Sequence, residues 1–157
     1  MDFLAWLEST PIAAAISTSV WMYATFETIH YIGLAMLVGS IMLIDLRLLG
    51  FARNLPLPPM LGLLPWVWCG FAINVVTGSL MFIYNATSFG TNKAFSLKMT
   101  LMALAGLNAL VFTVAVARTG ERWLTAGETP TAVKVVATLS LALWLGVMAA
   151  GRWMAYV

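Results

Sequence analysis

The chain has 157 residues, 62% of them hydrophobic and 9% charged, with a net charge of +2. A mean hydropathy of +0.94 exceeds what a soluble domain of this length carries and points to an integral membrane protein with little mass outside the lipid. The small net charge leaves no footprint for nucleic acid, and a single cysteine, Cys69, excludes an intramolecular disulfide.

Residues 2–17 set Phe3, Leu4, Trp6 and Leu7 against Asp2, Glu8 and Ser9, the pattern of a helix lying along lipid headgroups. Ser9 and Thr10 before Pro11 can cap a second short turn. This N-terminus is acidic and shows no cleavable signal pattern, so it is expected to stay in the mature protein. The first span is predicted over 18–50. Its apolar run, residues 21–49, holds Glu27 and His30, the chain's only histidine. An ionisable side chain at membrane depth costs at least about 2.5–3.5 kcal/mol on insertion scales, which marks it as functional by default. Tyr23, Glu27, His30, Leu34, Ile41 and Asp45 share one helical face. Gly33 and Gly39 follow the histidine and would admit a flat group or another backbone.

FARNLPLPPM cannot continue a helix and reads as a tight link. The second span is predicted over 61–86, with Pro65 in its first turns and Asn74, Thr77 and Ser79 as polar points toward neighbouring helices. TSFGTNKA reads as a loop into the third span, 94–118, which carries Lys98 near its start and Asn108 further down the same face. RTGERWLTAGETPT is the longest polar stretch, and the fourth span, 131–155, ends in GRWMAYV with Arg152. The expected fold is therefore an all-α membrane protein, residues 1–157 forming one membrane domain. It is a four-transmembrane-helix bundle preceded by an N-terminal interfacial amphipathic helix.

Four spans place both termini on one side. Arg47, Arg53, Arg118, Arg122 and Lys134 belong to the opposite side, against Lys93, Lys98 and Arg152 on the terminal side. That balance favours cytoplasmic 1–2 and 3–4 connections with periplasmic termini. In this topology His30 lies roughly 15–18 Å below the outer surface, at 1.5 Å per residue. Glu27, Lys98, Arg152 and, more deeply, Asn108 can then face one outer-half pocket with it, Gly33 leaving room between helices. Imidazole is a good axial ligand for haem iron, and cations at the membrane edge suit haem propionates, so a b-type haem between the first and third spans would account for the set. One histidine, one cysteine and scattered methionines make a poorer closed site for zinc or copper.

ETIHYIGLAMLVGSIMLIDLRLLG and KMTLMALAGLNAL together resemble a bacterial superfamily of small multispanning proteins that includes the copper-resistance protein D family and the HemJ-type protoporphyrinogen oxidases. The resemblance implies a histidine and a lysine acting together with haem b, here His30 and Lys98, with Asn108 more loosely. It also implies the bacterial inner membrane as location. The expectation is a haem-binding membrane protein for electron transfer or oxidation, with His30 as the metal ligand. Glu27, Gly33, Lys98, Asn108 and Arg152 would surround the cofactor. The alternatives are copper transport from a periplasmic donor protein, and a cofactor-free structural subunit. So small a bundle is expected to work as a homo-oligomer or within a larger membrane complex. The residues do not name a reaction.

Overall fold

A computed structural model describes residues 2–51, 54–119 and 129–156, the side chains of 115–119 excepted. These residues form eight helices: α1 (Phe3–Glu8), α2 (Pro11–Thr18), α3 (Val20–Leu49), α4 (Leu57–Leu61), α5 (Leu64–Tyr84), α6 (Ala86–Thr91), α7 (Lys93–Thr119) and α8 (Thr131–Trp153). Four stretches, built on α3, α4–α5, α7 and α8, are long and apolar enough to cross a membrane.

The breaks follow from local chemistry. Thr10 caps α2 by accepting from the Ala13 amide, with Pro11 at the first helical position where its missing donor costs nothing. Helix α3 stops at Gly50, whose φ of 101° closes the end as its amide and that of Phe51 bond back to Arg47 and Leu46. The proline-rich link is partly helical: Pro58 and Pro59 begin α4 rather than interrupt it. TSFGTNKA is likewise not a plain loop. It holds α6, whose Thr87 amide and hydroxyl both donate to Glu8 of α1 at 2.8 and 2.6 Å, and Asn92 then caps α7 through the Ala94 and Phe95 amides. Arg53 and Arg122 of the charge balance, and most of the segment between α7 and α8, lie outside the described residues.

Helix α3 packs along α5, α7 packs along α8, and α3 meets α8, whereas α5 and α7 do not pack along one another. The four long helices thus form two tight pairs joined along the α3–α8 seam, with a slot on the far side. The α3–α5 pair is close because two glycines meet. A Cβ on Gly70 would lie 2.6 Å from the Gly33 carbonyl oxygen and 2.7 Å from the Leu37 amide nitrogen. We call "upper" the end of the bundle that carries α1, α2, α6 and the C-terminal end of α8. The lower half is closed by Ile44, Leu48, Leu57, Val133 and Ala137, and the middle by Leu37, Val38, Ala105, Trp144 and Val147.

Candidate functional site

The upper half is not closed. A cavity of about 590 Å³, within the range of small-molecule and cofactor pockets, lies against all four long helices. His30 and Leu34 of α3, Asn74 and Gly78 of α5, Lys98 and Met102 of α7, and Trp144 and Val147 of α8 all line it. Phe82, Phe89 and Phe95 form a stacked triad at its upper wall, with ring centroids 5.3–6.4 Å apart, and Phe3 and Leu7 of α1 cover it from above.

His30 is held in one orientation. Its Nδ1 lies 2.8 Å from the Thr77 hydroxyl oxygen, and that hydroxyl sits 2.7 Å from the Ile73 carbonyl of its own helix. A hydroxyl has one proton to donate; here it goes to the carbonyl, so Thr77 accepts from Nδ1–H. The lone pair is left on Nε2, which makes no hydrogen bond among the described residues and is not sealed from the space the ring lines. Fixing one ring nitrogen so that the other can ligate is what a metal-bound histidine requires of its surroundings. Gly78 makes room for the ring: a Cβ there would lie 3.3 Å from the imidazole Cε1.

Lys98 enters the same cavity from the other helix pair. Its stem lies along Gly151 of α8, where a Cβ would sit 3.8 Å from Cδ, Cε and Nζ. No acidic side chain among the described residues pairs with its ammonium, so a cation faces an otherwise apolar space without a counter-charge.

The other expected site residues stand apart from this cavity. Glu27 accepts from the Tyr31 hydroxyl at 3.3 Å and forms no pair with Lys98. Gly33 is buried in the α3–α5 crossing, where a Cβ would meet Ile73 and Asn74 at 2.6 and 2.7 Å. Asn108 donates to the Val136 carbonyl at 3.1 Å. Ten residues along α7 from Lys98, it sits about 15 Å further down, in the lower half. Arg152 is exposed and turns to Tyr156, donating to its hydroxyl at 2.7 Å and lying over its ring at 5.1 Å. The space expected between the first and third spans is instead bounded by all four, because α8 packs against both α3 and α7 while α5 packs on α3. Gly39 and Gly106 face open space. Thr77, Gly78 and the phenylalanine triad belong to the site, although of these only Thr77 carries a polar signal in the sequence.

The donor set fits a haem: one imidazole nitrogen with a free lone pair, one unpaired cation for an acidic substituent, and flat aromatic walls. Among the described residues no group of three or more His, Cys, Asp or Glu could hold a bare metal ion.

Fold and site together define a small helical bundle, with four helices able to cross a membrane and a histidine–lysine cavity in one half. Within that class the chain belongs to a family of unknown function, DUF6644, whose profile matches residues 3–157. No curated protein and no solved structure matches it.

Proposed function

We propose that this is a multi-pass protein of the bacterial inner membrane that binds a b-type haem through His30 and serves electron transfer or oxidation there. One observation carries the reading: the bundle's only histidine has Nδ1 tied to Thr77 and offers Nε2 to a cavity that also holds the unpaired Lys98. His30 would be the axial ligand and Lys98 the partner of a propionate. Thr77 would orient the ring, and Gly78 would leave it space. When bound, haem supplies one-electron chemistry whose potential follows the axial ligand, hydrogen bonding and burial. The chain's own contribution is to fix the imidazole, neutralise one acidic edge and keep water away with Phe82, Phe89, Phe95 and Trp144. The likeness of the His30 and Lys98 segments to the copper-resistance D and HemJ-type superfamily supports the same reading, and the excess of arginine and lysine, taken together, at the lower connections supports periplasmic termini.

The test is an absorption spectrum of the protein purified in detergent after expression with ample haem. A Soret band that disappears in His30→Ala is the expected result. Absence of the band in the wild-type protein, or full haem in His30→Ala, overturns the proposal.

A second reading, copper transport, is favoured by one specific observation: Met81, Met99, Met102 and Met154 line the cavity that holds His30, and thioethers are soft ligands for Cu(I). Stoichiometric copper in the purified protein, with no Soret band, would replace the haem reading with this one.

A further inference from the structure

The slot between α5 and α7 settles how the cavity can be reached. Of the residues that line the cavity, Phe3 of α1, Val75 and Ser79 of α5 and Met99 of α7 are also exposed on the outer surface of the bundle, and the last three lie on the two helices that flank the slot. Val75, Ser79 and Met99 mark a side opening between the two helices that do not pack along one another, below the point where Phe82 and Phe95 stack. The upper mouth is differently built. There α1 lies across the cavity, with Leu7 and the outward-exposed Phe3 both bordering it. It is fastened to α6 twice: Glu8 accepts both Thr87 donors, and Leu4 fills the notch at Gly90, where a Cβ would come within 2.6 Å of its Cδ1. Behind α1, the stacked rings of Phe82, Phe89 and Phe95 tie α5, α6 and α7 together at the same end. One route thus passes between mostly apolar side chains of α5 and α7 with no helix across it, and the other is crossed by a fastened α1.

We propose that the cavity takes up its occupant sideways, from the apolar phase of the bilayer, through the α5–α7 slot, and not from the aqueous upper end. The occupant this route selects is a flat or chain-like apolar body with a carboxylate. The body can partition into lipid and slide between apolar walls, and the carboxylate finds its only cationic partner in the cavity at Lys98. Haem is one such amphiphile. The proposal rests on the haem reading for its physiological cargo and on the membrane reading for its surroundings, while the route concerns any ligand of that chemistry.

The experiment bridges each route in turn, using the full chain in lipid vesicles and a Cys69→Ser background, since Cys69 is exposed on α5. In one variant Val75→Cys and Met99→Cys are joined across the slot by a flexible bismaleimide. In another, Leu4→Cys and Gly90→Cys fasten α1 to α6. Haemin dissolved in the vesicle lipid is the first probe, read by growth of the Soret band. A nitroxide-labelled fatty acid is the second, read by the immobilised fraction of its spectrum. We expect the slot bridge to slow uptake of both probes about tenfold or more, a change of one decade in rate, and the α1–α6 tether to leave both rates unchanged. Uptake that survives the slot bridge, or that stops with the α1–α6 tether, overturns the route. Failure of haem alone is read separately. Wild-type protein that lacks a Soret band but immobilises the fatty acid, and loses it on bridging the slot, rejects the haem reading and keeps the route.

Discussion

The two halves of this bundle treat ionisable groups in opposite ways, although α3 contributes to both. In the lower half Asp45 and Arg47 of α3 are 6% and 7% exposed and built into the packing. Asp45 meets Ser140 of α8, and Arg47 Nε donates to the Leu55 carbonyl at 2.6 Å, folding the link after α3 back onto the bundle. In the upper half His30 and Lys98 border an open cavity, and the groups they present to it are left without protein partners among the described residues. Buried polar atoms normally find partners, and Asp45 Oδ2, sealed in the packing, is an exception among the described residues. Unmatched groups that face a shared cavity point to a ligand, whereas groups closed off from it point to structure. Depth along the bundle is therefore a poor guide to role, and access to open space is a better one.

The strongest way to break this division is to exchange the expected phenotypes. His30→Ala should abolish haem content while leaving the unfolding temperature in detergent close to wild type; a large loss of stability would make His30 a structural residue like Asp45. Next comes Thr77→Val, which keeps the ring but removes its acceptor. An outer-shell partner of a ligating histidine is worth about 10–100-fold in affinity, so haem titration should show a loss of that order, and unchanged affinity would mean the ring needs no tether. At the crossing that separates the halves, Gly70→Ala should destabilise by about 1–3 kcal/mol as an overpacked contact against backbone that cannot give way. Gly39→Ala and Gly106→Ala, which face open space, should be neutral or gain up to about 1 kcal/mol from the better helix former. Thermal unfolding of the three variants side by side sharpens the contrast.

Smaller again is Asp45→Asn. The amide can keep the link to Ser140 while shedding a carboxylate whose Oδ2 has no partner. Haem content should not move, and stability should hold or rise by about 1 kcal/mol. A fall in haem content would connect the two halves. The smallest effect belongs to the α1 latch. Hydrogen bonds from the Thr87 hydroxyl and amide hold the Glu8 carboxyl below its ordinary value of 4.5. A group whose folded value is depressed contributes above its unfolded pKa and loses that contribution as pH falls through the folded one. Hydrogen exchange in α1 should therefore be slow at neutral pH and quicken only on acidification below the ordinary carboxylate range. Glu8→Gln should quicken it at neutral pH and abolish the further quickening on acidification.

Much of this was legible in the residues. Four long apolar runs appear as helices able to span a membrane, because hydropathy and length are summed over many positions and tolerate local error. His30 and Lys98 could be paired from depth alone, since antiparallel helices fix which ends are level. Rotation about the helix axis was harder. Glu27 and Arg152 lie at suitable depths, yet each turns to a tyrosine four residues along its own chain, a local partner that a search for a shared pocket overlooks. Asn108 was assigned too high, because sharing a face with Lys98 says nothing about the distance along it. The order of packing was not legible at all: nothing in the sequence says that α5 and α7 stay apart below the Phe82–Phe95 stack, and the slot follows from that separation. Nor could Phe82, Phe89 and Phe95 be joined from sequence, since they reach each other only across the two breaks that bound α6.

The single seam between the helix pairs also sets how the molecule can yield. With α3 fastened to α5 by backbone contact at Gly33 and Gly70, and α7 to α8 along their length, the bundle divides into two pairs that meet along the α3–α8 edge. The opposite edge is tied only at its upper end, where Phe82 and Phe95 stack. In a bilayer, lateral pressure from acyl chains would bear on the gap below that stack, and the space around His30 and Lys98 would then depend on the thickness of the surrounding lipid.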